Sequence, residues 1–536
     1  MVANPYWSLE GIEEIEENNY KLRIHKNRPH TIDQAFRNTV KKYPMKEAIV
    51  AGNERWTYAK YDEKVDRVAS ALVEKFGIQP GDRVALLMNN HILWAVTFLA
   101  IARAGAISVP LNSRLQGKEI LYQMNNSQTR LLIFDQEYFN RIQPFREEFR
   151  TIQTFVINGL CDPEGWVDYR ELETYPSRNI NVQRDETDGA SILYTSGTTG
   201  LPKGALLTNR NILSIAVAVI DMLQFDKDDR MLIFIPLFHV TGLVGMLVAM
   251  FVTGGTLIIL PGFKRHEIPQ IIQEEKITAT IGVPATFILI MESPNYQKYS
   301  RETMRCIVYG GAPSPPDMHQ QLRDTLPKDC LLVEAYGLTE SSSNVSIFPI
   351  TKDRKVYNKY GSIGVVNPVA DIRIVDEQGN DLPDGEIGEL LVRSPGVMKE
   401  YWGNPDKTAE AIKDGWLCTG DLVSRDNDGY LAIKGRKKQM IIRGGENIYP
   451  IEIENVLYAH PDILEAAIAG VPDRIMGEEV KAVIVLKEGV SMDAAQLQEF
   501  LKTRLADYKI PKYISFVREL PRNPAGKVQV DKLVNL

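Results

Sequence analysis

The chain has 536 residues, 44% of them hydrophobic and 24% charged, with a formal net charge of -7 at pH 7. That length exceeds what one hydrophobic core supports and predicts several subdomains of ordinary globular composition. The acidic balance argues against nonspecific nucleic-acid binding, which needs a basic surface. Cys161, Cys306, Cys330 and Cys418 are scattered without a C-x-x-C pair, so they support neither a disulfide framework nor a zinc site and fit a reducing, cytoplasmic setting.

The first residues, Met1 to Trp7 and the acidic run through Glu17, lack the basic and apolar regions of a signal peptide. Thr31-Ile32-Asp33-Gln34 reads as a capping box opening a helix whose apolar residues Ile32, Ala35, Phe36 and Val40 share a face. Strand-like runs at 47–51 and 55–58 precede an amphipathic helix expected over 61–76 and stopped at Gly77. Alternation continues through strand 83–88, helix 93–104, strand 107–109, helix 118–124 and strands 131–134 and 154–157, the pattern of parallel α/β layers. No Gly-x-Gly-x-x-Gly follows these strands, so dinucleotide binding has no support.

Tyr194 to Gly204 reads Y-T-S-G-T-T-G-L-P-K-G and concentrates hydroxyls, glycines and one lysine in a single loop. Backbone N–H groups, O–H groups and an ammonium can converge there on a polyanion. It is not a Walker loop, because Pro202 stands where the second glycine belongs and Gly204 follows the lysine. Strand-like flanks at 191–194 and 205–207 predict a strand-loop-strand, with the next helix starting at Thr208 or Asn209.

Strand 231–236 delivers Leu237-Phe238-His239-Val240-Thr241-Gly242 to a carboxyl end, where open α/β sheets bind ligands. The apolar run from Val240 to Val252 is too short to span a bilayer and is expected as a buried helix. Strand 306–309 ends in Gly310-Gly311-Ala312-Pro313, which lets backbone approach a flat ligand. Tyr336-Gly337-Leu338-Thr339-Glu340 combines a ring for stacking, a hydroxyl for phosphate and a carboxylate for Mg2+. A β-rich section from Gly388 contains Thr419-Gly420-Asp421, whose carboxylate can accept from the cis hydroxyls of a ribose. Gly435-Arg436-Lys437-Lys438 marks a boundary, after which helices 451–460 and 493–506 and strands 466–470 and 480–486 form a smaller unit ending near Asn523-Pro524-Ala525-Gly526-Lys527. The C-terminal Lys532 to Leu536 carries neither a peroxisomal tripeptide nor a prenylation box.

These motifs, in this order over nearly the whole chain, resemble the adenylate-forming superfamily of acyl-CoA synthetases, peptide-synthetase adenylation domains and beetle luciferases. The resemblance implies an α/β fold: a large N-terminal domain (1–434) of layered α/β sheets and a β-rich section, a hinge (435–438), and a small, mobile α+β C-terminal domain (439–536). It implies that Thr195, Ser196, Gly197, Thr198, Thr199 and Lys203 hold phosphates, and that Gly310, Gly311, Ala312, Tyr336, Gly337, Thr339, Asp421 and Arg436 hold the rest of ATP or AMP. Glu340 would bind Mg2+, and Lys527, Thr339 and His239 would act in catalysis. His239, Leu243, Val244, Gly245 and Val283 would line the acyl pocket, Gly444 and Gly445 the path of CoA, and Lys438 would be the hinge. Gln439 departs from the acidic residue common after the hinge in relatives, which affects only local charge pairing.

The expected activity is an ATP-dependent acid–CoA ligase for a medium- to long-chain fatty acid, working through an acyl-adenylate. An aryl-acid ligase or loading of a separate carrier protein remain as alternatives. An oxygenase of luciferase type would share the ATP chemistry, whereas a sensor without turnover would lack Lys527 or Glu340. The expected partners are a carboxylic acid, ATP and CoA, with no nucleic acid and no transmembrane segment, and with a homodimer left open.

Overall fold

The computed structural model describes residues 6–17, 19–159, 165–195, 201–312, 314, 316–349, 359, 361–444, 446–522 and 528–536. Two large α/β sheets carry most of the chain. One runs, edge to edge, Glu400–Tyr401, Lys203–Thr208, Gly189–Thr195, Ile107–Pro110, Arg83–Leu87, Leu131–Asp135, Thr154–Asn158 and Val167–Asp168. The other runs Val365–Val366, Ser346–Ile347, Leu331–Tyr336, Cys306–Gly310, Ala279–Gly282, Arg230–Ile233, Thr256–Ile259, Glu47–Ala51 and Glu54–Thr57.

The two share a layout. In the first, strand Arg83–Leu87 pairs in parallel with Ile107–Pro110 on one side and Leu131–Asp135 on the other. In the second, Arg230–Ile233 pairs in parallel with Thr256–Ile259 and Ala279–Gly282 in the same way. Each sheet therefore reverses its winding direction beside one strand, and a crevice opens at the carboxyl ends there. The central strands are near-continuous apolar runs because helices cover both faces. Phe36, Trp94, Phe98, Val244 and Phe251, all 0–1% exposed, belong to one core cluster that joins the two layers.

Gly388–Arg393, Asp371–Val375, Trp416–Arg425, Ile412–Lys413 and Leu431–Arg436 form a third sheet. A fourth contains Glu446–Ile448, Ile441–Arg443, Gly477–Leu486, Ile463–Asp473 and Tyr513–Phe516, with helices Pro450–Tyr458 and Ala494–Lys502 packed on it. No helix among the described residues is long and apolar enough to cross a membrane.

Several local details differ from sequence expectation. The N-terminal acidic run is half of a hairpin, Ile12–Glu17 against Tyr20–His25. Thr31 caps helix Ile32–Lys42 by accepting from the Gln34 N–H, but Gln34 reaches back to the His30 N–H at 2.7 Å instead of closing the box on Thr31. Helix Tyr58–Ser70 continues as a π-helix over Ala71–Lys75 before the left-handed Gly77 (φ +63°). The apolar run after Val240 is π-helical over Thr241–Val248 and α-helical only over Ala249–Thr253. Cys306 and Cys330 are buried thiols and Cys418 is half-buried; Cys161 lies outside the described residues.

Candidate active site

The phosphate loop joins two antiparallel strands, Gly189–Thr195 and Lys203–Thr208, and Thr195 pairs directly with Lys203 across the ladder. Ser196, Gly197, Thr198 and Thr199 lie outside the described residues. The flanking residues meet a pair formed by Glu340 and Tyr401, the second of which the sequence reading had not singled out. The Lys203 ammonium sits 4.0 Å from the Tyr401 ring centroid. The Tyr401 hydroxyl donates to Glu340 Oε1 at 2.8 Å, and Thr195 Oγ1 donates to the same oxygen at 3.4 Å. Strand Glu400–Tyr401 adds to the sheet edge beside Lys203–Thr208, which carries the ring over the lysine. Burial pushes the Lys203 pKa down, Glu340 opposes that shift, and Lys438 and Lys407 reinforce it. This half-buried cation is crowded by other cations, so an arriving polyanion relieves both effects.

Glu340 is half-buried, and among the described residues no cluster of three or more His, Cys, Asp or Glu could hold a metal. The donor set therefore fits Mg2+ held by one carboxylate together with substrate phosphates, the usual arrangement for this ion beside a nucleotide.

The nucleotide-side residues come together at the ends of strands Cys306–Gly310 and Leu331–Tyr336, which pair in parallel with Gly310 opposite Ala335. A Cβ on Gly310 would stand 2.1 Å from the Ala335 carbonyl oxygen, and one on Gly337 would stand 1.6 Å from the Ser343 oxygen. Both positions exclude any side chain. Gly311 (φ +75°) and Ala312 are exposed, leaving the turn open. Thr339 is half-buried in the single 3-10 turn Thr339–Ser341, next to Glu340.

Asp421 is 3% exposed, and its carboxylate is held on both sides: the Tyr336 hydroxyl donates to Oδ2 at 2.5 Å and Arg436 Nε donates to Oδ1 at 2.8 Å. Asp421 and Arg436 also face each other in the ladder between Trp416–Arg425 and Leu431–Arg436. The expected ribose anchor is thus joined to the expected adenine-stacking ring and to the strand that leads into Lys437 and Lys438.

On the acyl side, His239 is exposed at the carboxyl end of strand Arg230–Ile233, and its Nδ1 accepts from the Thr241 N–H at 3.4 Å. Leu243 and Val244 are fully buried in the main core and present no surface. Gly245 is buried as well, and a Cβ there would meet Ile281 Cδ1 at 3.6 Å and Ser343 Oγ at 3.8 Å, both ordinary van der Waals contacts. Val283, 40% exposed, caps the end of strand Ala279–Gly282. In the small unit Gly444 (φ +60°) turns the chain, and Arg443 pairs with the buried Glu479 at 2.7 Å. Lys438 is exposed in the 3-10 turn Lys437–Gln439. Gly445 and Lys527 lie outside the described residues.

With this geometry in view, residues 36–402 match the family described as AMP-binding enzyme, and residues 452–527 match AMP-binding enzyme C-terminal domain. The chain belongs to the AMP-binding enzyme family. It is similar to a feruloyl-CoA synthase of Amycolatopsis sp, 36% identical over 90% of this chain and 94% of that one. It is also similar to a mitochondrial medium-chain acyl-CoA ligase of Bos taurus, 34% identical over 94% of this chain and 87% of that one. Among solved structures, an anthranilate CoA ligase in complex with anthranoyl-AMP superposes with a TM-score of 0.87 at 26% identity, covering 94% and 96% of the two chains. The enzyme is an AMP-forming acid–CoA ligase.

Tyr401, Ser343 and Asn90 escaped the sequence reading of this ligase. Tyr401 lies in Glu400-Tyr401-Trp402, a two-residue strand too short to announce itself by periodicity. The run Ser341-Ser342-Ser343 directly after Glu340 was a legible signal, since consecutive small hydroxyl residues beside a binding motif mark close backbone packing.

Proposed function

We propose that this ligase activates an apolar carboxylic acid lying between Gly245 and strand Ala279–Gly282, with its carboxylate toward His239. The carboxylate attacks the α-phosphorus of ATP, the bond to the bridging oxygen of pyrophosphate breaks, and acyl-adenylate forms. The thiol of CoA then attacks the acyl carbon, AMP leaves, and the thiol proton passes to solvent. Positioning and charge neutralisation dominate the first step. Lys203, Thr195 and the hydroxyl loop hold the β- and γ-phosphates, and Glu340 supplies the protein ligand for Mg2+, which neutralises phosphate charge when bound. Lys527 bridges the carboxylate and α-phosphate, and the small unit (439–536) turns about Lys438 between the two steps. The observation that carries this reading is the cluster in which Thr195 and Tyr401 both donate to Glu340 and Lys203 sits on the Tyr401 ring.

The run from Arg443 to Glu452 and the medium-chain relative support a fatty acid of medium to long chain. A second reading, an aryl acid, is favoured by the feruloyl-CoA relative, with the Ser343 hydroxyl 3.8 Å from where a Cβ on Gly245 would stand as a polar neighbour. Mass spectrometry of the protein with Mg2+-ATP, CoA and equimolar octanoate, palmitate, benzoate and ferulate tests both. Octanoyl- or palmitoyl-CoA as the main product supports the first reading, and an aryl thioester replaces it with the second. Accumulation of adenylate with no thioester would sink CoA as acceptor.

A further inference from the structure

The winding reversal of the second sheet lies beside strand Arg230–Ile233 and carries the His239 turn; the corresponding reversal of the first sheet lies beside strand Arg83–Leu87. That point is where a ligand crevice is expected in a sheet of this layout. In the first sheet it is occupied by the chain itself. Met88, Asn89, Asn90 and His91 leave the strand there, and Asp135 ends the neighbouring strand.

Asn90 is 7% exposed and reaches across to the second sheet. Its Nδ2 donates to the Ile235 carbonyl at 2.7 Å, and its Oδ1 accepts from the Leu237 N–H at 2.9 Å. The amide thus grips one C=O and one N–H two residues apart, as a neighbouring strand would, in a stretch that has already left the sheet. Two residues later the same stretch presents His239. The turn is tight: the His239 N–H donates to the Pro236 carbonyl at 3.2 Å, and a Cβ on Gly242 would stand 2.4 Å from that oxygen.

The base of the clamp is itself fixed. The Asn89 N–H donates to Asp135 Oδ2 at 2.7 Å, and Tyr138 donates to Asn89 Oδ1 at 2.6 Å. His91 Nε2 lies 3.0 Å from Asp135 Oδ1, which also accepts from Asn158 Nδ2 at 2.8 Å. Both neighbours of Asn90 are thus tied to Asp135 at the end of a parallel strand, Asn89 through its backbone N–H and His91 through its ring. The amide transmits that rigidity to the turn across the subdomain boundary.

We infer that Asn90 is a positioning residue for the acyl substrate, holding the Ile235–Leu237 segment so that His239 and Gly245 face the bound carboxylic acid in one geometry. This rests on the reading that the His239 turn borders the acid. Among the described residues the Asn90 amide bonds Ile235 and Leu237 and not Lys203, Tyr401, Tyr336 or Asp421, so its loss acts on the acid and leaves ATP binding alone.

The test compares wild type with Asn90→Ala and Asn90→Asp; the Asp variant keeps the side-chain volume and the acceptor for Leu237 but loses the donor to Ile235. Adenylate formation is followed by pyrophosphate release with the best acid of the panel above, and binding of ATP alone is measured by calorimetry. Both variants are expected to raise the KM for the acid about tenfold, to hold the ATP Kd within about twofold of wild type, and to speed hydrogen exchange at the Leu237 amide. An unchanged acid KM in both variants, or an equal weakening of acid and ATP, overturns the proposal. Loss of folded protein in both also overturns it, because Asn90 would then act in stability. If wild type turns over no acid of the panel, the functional reading fails first and the inference falls with it.

Discussion

Glu334 stands two residues before Tyr336 on the same strand, 6% exposed, and burial raises its carboxyl pKa to about 7. The Ser314 hydroxyl donates to its Oε1 at 3.1 Å and opposes that shift. Its Oε2 has no hydrogen-bond partner among the described residues, as suits a carboxyl protonated when folded. The sign of the linkage follows from the raised value. Below the unfolded pKa near 4.5 both states are protonated and the contribution is fully present. Between there and about 7 only the folded state keeps the proton, so stability falls as pH rises. Glu454, pushed to about 7 by burial, adds a slope of the same sign. Glu334→Gln removes one of the two. Urea unfolding should show the variant level with wild type at pH 4.5 and more stable at pH 8, by on the order of 2 kcal/mol. Equal stabilities at pH 8 would mean that the carboxyl carries no raised pKa.

At the scale of elements, the apolar run after Val240 winds as the π-helix Thr241–Val248, and Leu243, Val244 and Gly245, which the family resemblance assigns to the acyl pocket, are all buried in it. The π winding was not legible in the sequence, because an entirely apolar run has no polar face to reveal it. Strands with apolar continuity and glycine ends were legible, among them Cys306–Gly310 and Leu331–Tyr336. In the motifs on them, Gly310 and Gly337 stand where backbone contact forbids a Cβ. Contacts made across subdomains, such as Asn90 with Ile235 or Tyr401 with Lys203, were not legible, since nothing local encodes them. The ordinary contact distances at Gly245 make a further prediction. Gly245→Ala should fold normally, while Gly245→Leu should lower kcat/KM for the bulkiest accepted acid about a hundredfold relative to the smallest. An unaltered ranking of acids by mass spectrometry would move the pocket elsewhere.

Across the whole molecule, the β-rich sheet passes into the small unit through the turn Lys437–Gln439. Asp421 binds Arg436, two positions before Lys438, and Lys437 pairs with Glu389 at 2.9 Å, so the strand entering the turn is held on the β-rich sheet. The next sheet begins at Ile441, and the intervening turn Lys437–Gln439 buries no residue. A short, exposed segment between two anchored sheets is where backbone rotation meets least resistance. Lys438 lies close enough to Lys203 to lower its pKa, so rotation there would also change the charge around the phosphate site. On the family resemblance, Lys527 serves adenylation and Gly445 lines the path of CoA. Lys527→Ala should then slow adenylate formation about a hundredfold or more while thioester formation from supplied acyl-adenylate stays within about threefold of wild type. Gly445→Leu should do the reverse, because its side chain would enter the thiol path. Rapid-quench assays of the two half-reactions read this directly. Equal losses in both halves for either variant would tie the two steps to one arrangement of the small unit and remove rotation about Lys438 from the mechanism.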